Sequence, residues 1–174
     1  GAREAVGRAS FWIVPRARRG GFREWVGYEN NNSQWDCWVH GHGGSEASED
    51  EELALRRLPG YETDALTDLF VDYLERRARQ APETPFFAAL SVQPPHIPAQ
   101  CPHAWRRHRP GEIQLRPNVN PGGRGEAIAR DLGPGYCGMV ENWDWNVGRV
   151  LEALRRLGLD HRTHVMFFAD HGEM

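Results

Sequence analysis

An α/β fold with a mainly parallel sheet and crossover helices is predicted by three observations. Two apolar runs, Phe86-Phe87-Ala88-Ala89-Leu90-Ser91-Val92 and Val165-Met166-Phe167-Phe168, have the length and the polar boundaries of buried strands. Two other stretches, beginning at Tyr61 and at Tyr136, repeat apolar residues at helical spacing. Residues able to do chemistry follow each run closely, His96 after the first and the Asp170-His171 pair after the second. In open α/β sheets the carboxyl edge of the strands is where sites are built.

Taken in order, the chain starts with an apolar run between Ser10 and Pro15, then a basic turn from Arg16 to Gly21. Asn30-Asn31-Asn32-Ser33 reads as loop, and residues 40–52, rich in Gly, Ser and acid, read as a solvated surface loop. The first helix opens at Tyr61-Glu62-Thr63-Asp64, where Thr63 or Asp64 offers a cap, and Leu66, Leu69, Phe70, Tyr73 and Leu74 share one face. Arg76, Arg77 and Arg79 complement the dipole at its end, and Pro82 and Pro85 close it. The strand expected over 86–92 ends in Gln93-Pro94-Pro95-His96-Ile97-Pro98, whose prolines lack the N–H that a ladder needs.

Residues 102–135 carry many Pro, Gly and Arg and little periodicity, so they are expected to form an extended loop with at most a short helix, shaping a pocket mouth. A second helix is expected from Tyr136 to Leu157, with Met139, Val140, Trp143, Val147, Val150, Leu151 and Leu154 in period and Gly158 as its stop. Its partner is the terminal strand.

Composition limits the partners. With 174 residues, 40% hydrophobic and 26% charged, the chain is long enough for one modest domain, and ending on a strand edge suggests a piece of a larger one. A net charge of -3 with interspersed signs gives no basic stripe for nucleic acid. No stretch has the length of a membrane span or the pattern of a signal peptide, so no membrane partner is expected; compartment and oligomeric state stay unread. All 21 cations are Arg, so no lysine ammonium is available to an anion here. Cys37, Cys101 and Cys137 are odd in number and far apart, which describes reduced structural thiols rather than a disulfide framework.

Asp170 and His171 side by side offer two ligands to a divalent cation, and Gly172 lets the backbone turn sharply beside them. An alternative zinc site at Cys37, His40, His42 and Glu46 departs from finger spacing. Trp25, Trp35, Trp38 and Trp105 suit either stacking on a sugar or aryl group or packing at the edge of the core.

These residues together carry a family resemblance. Gly21-Phe22, Gly27-Tyr28, the helix opening from Tyr61 to Asp68, Pro94-Pro95-His96-Ile97-Pro98, Asp144 with Val147-Gly148-Arg149-Val150-Leu151, and Asp170-His171-Gly172-Glu173 occur in the order and spacing of a type I, formylglycine-dependent sulfatase of the alkaline phosphatase superfamily. The chain resembles the central part of that catalytic domain, between an upstream Gly-Lys-Trp-His segment and the Asp-His-Gly metal motif. The resemblance implies an alkaline phosphatase/sulfatase-like fold, incomplete in this chain, and hydrolysis of a small-molecule or saccharide sulfate ester.

By the same resemblance Asp170 and His171 would ligate one divalent cation, calcium first and manganese next, because His171 stands where the family often has Asn. His96 would donate a hydrogen bond to the sulfate or to the departing oxygen. The nucleophile would be a formylglycine made from a Cys-x-Pro-Ser-Arg segment outside this chain, because Cys101-Pro102-His103-Ala104-Trp105 lacks the Pro and the Arg, and neither Cys37 nor Cys137 does better. The family's aspartate pair and sulfate-binding lysines are likewise absent, so the fragment alone is expected to be inactive. A phosphonate monoester or phosphodiester hydrolase of the same superfamily, or a truncated non-catalytic product, are the competing expectations.

Overall fold

The computed structural model describes residues 11–31, 33–42, 48, 53–81 and 83–172. The expected loop over 40–52 therefore lies mostly outside the described residues, as do Ser10, Asn32, Glu46, Pro82, Glu173 and Met174. Two helices organise the rest. The first, α1, spans Glu62–Gln80. It opens earlier than its polar residues suggested: Tyr61 is the N-cap, with no side-chain cap, and Thr63 is buried inside the first turn. Glu62 and Asp64 there, and Arg77 and Arg79 in the last turn, match the helix dipole at both ends.

The second helix, α2, spans Arg124–Arg156 and corrects the expectation of a loop up to residue 135. Its first turns run through Gly133, Pro134 and Gly135, a composition that reads as punctuation. The glycines are there for contact instead. A Cβ on Gly135 would lie 2.0 Å from the Ala99 carbonyl oxygen, and one on Gly138 would lie 2.5 Å from both Cys101 Sγ and the Trp105 carbonyl oxygen. The segment 99–105, including a 3-10 turn at His103–Trp105, thus rests directly on the helix backbone. At the other end the expected stop holds. Gly158 takes φ 66°, its N–H reaches the Arg155 carbonyl at 3.0 Å, and the Leu159 N–H reaches Leu154 at 2.9 Å. Leu154 and Leu159 are both buried in one cluster, so the hydrogen-bonded cap is sealed by an apolar contact.

The helices pack on each other and run in the same direction, because their polar pairs ascend together. Asp64 Oδ1 accepts from Asn142 Nδ2 and Asn146 Nδ2, each at 2.8 Å, Asp68 pairs with Arg149, and Glu75 meets Arg156 at 2.7 Å. One apolar cluster, Leu74, Ala153, Leu154 and Leu159, lies at the far end of this seam. The other, Cys37, Val39, Leu58, Ala65 and Leu66, joins the start of α1 to a small sheet.

The parallel sheet predicted from the sequence is not seen among the described residues. Among the described residues the only strands are β1 (Trp38–Val39) and β2 (Arg56–Arg57), antiparallel, with Trp38 opposite Arg57 and Val39 opposite Arg56. The run 86–92 has no ladder, yet its burial alternates: Phe86, Ala88, Leu90 and Val92 are half-buried, while Phe87, Ala89 and Ser91 are exposed. Leu90 and Val92 pack on one cluster and Phe86 on the other. It therefore has strand periodicity without a strand partner. Val165–Phe168 is also outside any ladder, with Met166 80% and Phe168 81% exposed. An apolar pattern encodes an extended backbone and a face to bury; the hydrogen bonds that make a strand come from a neighbouring backbone, which the pattern does not specify. No helix among the described residues is long and apolar enough to cross a membrane.

The two kinds of helical glycine separate cleanly by substitution. Gly148 has nothing within 4 Å of where a Cβ would sit, so Gly148→Ala should stabilise by about 0.5–1 kcal/mol. Gly135→Ala must push the Ala99 backbone away and should destabilise by roughly 1–3 kcal/mol. Urea unfolding monitored by circular dichroism would show it; a Gly135→Ala variant as stable as Gly148→Ala would contradict the close approach.

Candidate functional site

His96 lies in the turn that follows the extended run, and both of its backbone polar groups are used. Its N–H donates to the Gln93 carbonyl at 3.0 Å, and its own carbonyl accepts from Gln34 Nε2 at 3.0 Å. The flanking Pro94-Pro95 and Ile97-Pro98 peptide bonds are cis. On the ring, Nδ1 lies 2.6 Å from the Ile97 carbonyl oxygen. A carbonyl only accepts, so Nδ1 carries the hydrogen and Nε2 is the nitrogen left to meet a ligand. The side chain is half-buried.

Behind this turn stands a fully buried carboxyl group. Glu62, at the first position of α1, accepts the Tyr28 hydroxyl at 2.5 Å and the Gln93 N–H at 3.4 Å through Oε1. Burial raises the Glu62 pKa above its ordinary value, and the bonds from Tyr28 and Gln93 offset part of that rise. The same burial raises the Tyr28 hydroxyl, with the Glu62 charge adding to it. Burial together with the charges of Glu62 and Asp36 pushes the Cys37 thiol up to about 12. Nothing in the sequence marked Glu62 or Gln34 as part of a site. A glutamate in the first turn of a helix is normally a solvated dipole partner, and a glutamine in an Asn-rich loop is normally surface.

Asp170 and His171 are exposed and adjacent. Asp170 Oδ1 accepts the His171 N–H at 2.9 Å, and Oδ2 lies 3.5 Å from His171 Nε2. His171 Nδ1 lies 3.0 Å from the Gly172 carbonyl oxygen, which assigns the hydrogen to Nδ1 and the lone pair to Nε2. Two ligand atoms bound to one cation at about 2.1–2.4 Å and at right angles sit roughly 3–3.4 Å apart, so the pair has near the separation that a shared divalent ion needs. Among the described residues no three His, Cys, Asp or Glu side chains gather into a metal-holding group. Asp170 and His171 are therefore a pair, with no third such side chain beside them among the described residues.

The alternative zinc grouping does not assemble among the described residues. His40 is buried with Nε2 accepting the Val14 N–H at 2.8 Å, Cys37 is a buried thiol, and Glu46 is outside the described residues. Each of the four tryptophans has an aromatic neighbour, and Trp35 remains 40% exposed. Trp35 meets Tyr61 edge-on at 5.2 Å, Trp38 meets Phe11 at 5.2 Å, Trp25 lies against His40 at 4.8 Å, and Trp105 against Trp145 at 6.0 Å.

A cavity of about 250 Å³ opens next to the His96 turn, lined by Gln100, Cys101, Arg106 and His108 and floored by Pro134 and Gly135 of α2. Ala99, also in its wall, is three residues from His96 and so within about 10 Å of it along the chain. His108 Nε2 is held by Glu141 Oε1 at 2.8 Å. Of the segment 102–135, Arg106, His108, Pro134 and Gly135 line this cavity.

The buried carboxyl group has a pH signature with a definite sign. Because the folded state holds the Glu62 proton more tightly than the unfolded chain does, stability falls as pH rises from the ordinary carboxyl value through the raised one. Glu62→Gln keeps an oxygen for Tyr28 and Gln93 and carries no charge. Its melting temperature relative to the parent should therefore climb between pH 4.5 and pH 8, measured by thermal unfolding at a series of pH values. A difference that does not vary with pH would show that Glu62 ionises as it would in water.

Known proteins resemble this chain throughout. The Sulfatase family model matches residues 2–174. The ulvan-active sulfatase of Formosa agariphila is 30% identical over 163 residues, covering 92% of this chain and 30% of that protein. The endo-4-O-sulfatase of Bacteroides thetaiotaomicron is 28% identical over 174 residues, covering 92% and 31%. A shorter stretch of 43 residues, 25% of this chain and 7% of the relative, is 54% identical to the steryl-sulfatase of Mus musculus. Among solved structures, yidJ from Bacteroides fragilis, described as a sulfatase, superposes with a TM-score of 0.71 at 20% identity over 86% of this chain and 32% of its own. A Bacteroides thetaiotaomicron chain studied for glycosaminoglycan metabolism superposes with 0.68 at 21% identity, over 85% and 30%. At those identities the superpositions speak for the fold alone. The chain spans about 30% of the length of the two long-matching relatives.

Proposed function

The chain belongs to the sulfatase family of the alkaline phosphatase superfamily, and from that membership we propose that it forms part of a metal-dependent sulfuric ester hydrolase. The observation that carries the proposal is the family match over residues 2–174. A saccharide sulfate ester is the substrate class we favour, because the likeness along most of the chain is to an ulvan-active sulfatase, whereas the likeness to a steryl-sulfatase covers 25% of the chain.

Sulfate ester cleavage breaks the S–O bond to the alcohol, so the leaving oxygen must be protonated or hydrogen-bonded as negative charge develops on it. His96 is suited to that role. With Nδ1–H tied to the Ile97 carbonyl, a protonated ring presents Nε2–H outward from a fixed backbone. Asp170 and His171 would hold a divalent cation, calcium or manganese, which when bound supplies neutralisation of the sulfate charge. The nucleophile, on this reading a formylglycine outside residues 1–174, supplies the oxygen that attacks sulfur. Cys37 and Cys101 suit no such role, since both thiols are buried and burial raises both pKa values.

In the full-length enzyme, His96→Ala should lower kcat on 4-nitrophenyl sulfate by about 10²–10⁴-fold while leaving thermal stability close to the parent. Unchanged turnover would remove His96 from the site. Asp170→Asn should weaken cation affinity by at least about tenfold, the scale on which a lost anionic ligand is felt at a metal site. Calorimetric titration with calcium and with manganese reads this without an assay, and equal affinity in both proteins would count against the ligand assignment. Running 4-nitrophenyl phenylphosphonate beside the sulfate ester tests the ester class, and faster cleavage of the phosphonate would favour the phosphonate monoester reading.

A further inference from the structure

The geometry points to Gln34 and Glu62 as positioning residues for His96, an assignment that rests on the role proposed for His96 above. Four hydrogen bonds close a circuit through these residues. The Glu62 N–H donates to the Gln34 carbonyl at 2.8 Å, and the Gln34 side-chain amide donates to the His96 carbonyl at 3.0 Å. The His96 N–H donates to the Gln93 carbonyl at 3.0 Å, and the Gln93 N–H returns to Glu62 Oε1 at 3.4 Å. Gln34 and Glu62 are 1% and 0% exposed, so neither link competes with solvent. The Tyr28 hydroxyl donates to the same Glu62 Oε1 that accepts the Gln93 N–H.

Three features separate this from ordinary core packing. First, the circuit ends on the backbone of His96 itself, with one bond on its N–H and one on its carbonyl. Together with the Nδ1 bond to Ile97, these fix both the peptide planes and the ring, so the position of Nε2 is determined. Second, the circuit is not a low-energy way to fill space. Gln34 Oε1 and Glu62 Oε2 are buried without a hydrogen-bond partner among the described residues, and an apolar pair of like volume would avoid that desolvation. Third, it links segments 62 residues apart in sequence and so ties a loop residue to the rigid start of α1. Polar groups kept in a buried place at a cost to stability are expected where geometry matters to function.

Replacing either side chain by methionine keeps the volume and removes the bond. In the full-length enzyme, Gln34→Met and Glu62→Met should each lower kcat on 4-nitrophenyl sulfate by about tenfold to a hundredfold, the scale on which a small misplacement of a reacting group is felt. KM should stay within about twofold, because the substrate's binding contacts are not removed. A purely structural role would not produce the next result. In a His96→Ala background the methionine substitutions should lower kcat no further, since they act through the imidazole. Equal losses with and without His96 overturn the positioning role, as does wild-type kcat in a folded Gln34→Met enzyme whose His96→Ala counterpart is impaired. If His96→Ala itself leaves kcat unchanged, it is the assignment of His96 that fails. Loss of the cooperative melting transition in both methionine variants would assign the circuit to stability and likewise overturn the positioning role.

Discussion

One carboxylate oxygen sets the register of this structure. Asp64 Oδ1 accepts amide hydrogens from Asn142 and Asn146, one turn apart on α2, and Asn146 in turn accepts Arg149, which pairs with Asp68. Asn142 and Asn146 are fully buried, so slipping either helix by a turn would strand two amides away from water. Hydrogen bonds to a charged group contribute about 1.5–3 kcal/mol each, comparable to burying one large aliphatic side chain. Apolar clusters tolerate sliding; a bifurcated acceptor between two amides does not. The seam therefore specifies alignment, while Leu74, Ala153, Leu154 and Leu159 supply non-directional burial at its end.

From that alignment both walls of the candidate site follow. Glu62 is two residues before Asp64, so the seam fixes where the start of α1 meets Gln34 and Gln93. Along α2, Gly135 and Gly138 fix where Ala99 and Cys101 rest, and with them the cavity beside the His96 turn. The turn is thereby held between two helices that are themselves locked together. This is how a residue without its own secondary structure is held in one place.

Elements with a strong internal period were legible in the sequence. The face containing Leu66, Phe70 and Leu74, the stop at Gly158, and the turn around His96 all follow from local rules. Three things were not legible, each for a physical reason. The first turns of α2 were hidden because Gly135 is there to let the Ala99 backbone approach and Gly133 lies against the Ile113 side chain, and composition does not distinguish that from a break. The strands expected at 86–92 and 165–168 have no ladder among the described residues, because these runs encode extension and an apolar face whereas a ladder requires a second backbone; Phe87 stays 75% exposed and Phe168 81% exposed. Gln34 and Glu62 were missed because their roles depend on contacts across 31 to 62 residues, to which no spacing rule applies. Asp170 and His171 lie close to each other because adjacency in sequence alone brings their side chains within reach.

The prolines around His96 show why such a circuit is needed there. Pro94, Pro95 and Pro98 have no N–H, so this turn cannot be stabilised by the usual succession of backbone bonds. The remaining donors and acceptors must then be supplied individually. The structure does this with the carbonyl of Gln93, the amide of Gln34 and the carbonyl of Ile97 as partners for the N–H, carbonyl and ring of His96. Proline rigidity lowers the entropy lost on ordering the segment, and buried polar partners then select one orientation of it. A loop rich in glycine could have reached the same position, but with greater conformational freedom to lose, and without a fixed direction for the imidazole. Rigid residues with few backbone donors, held by distant buried side chains, give His96 a preset geometry.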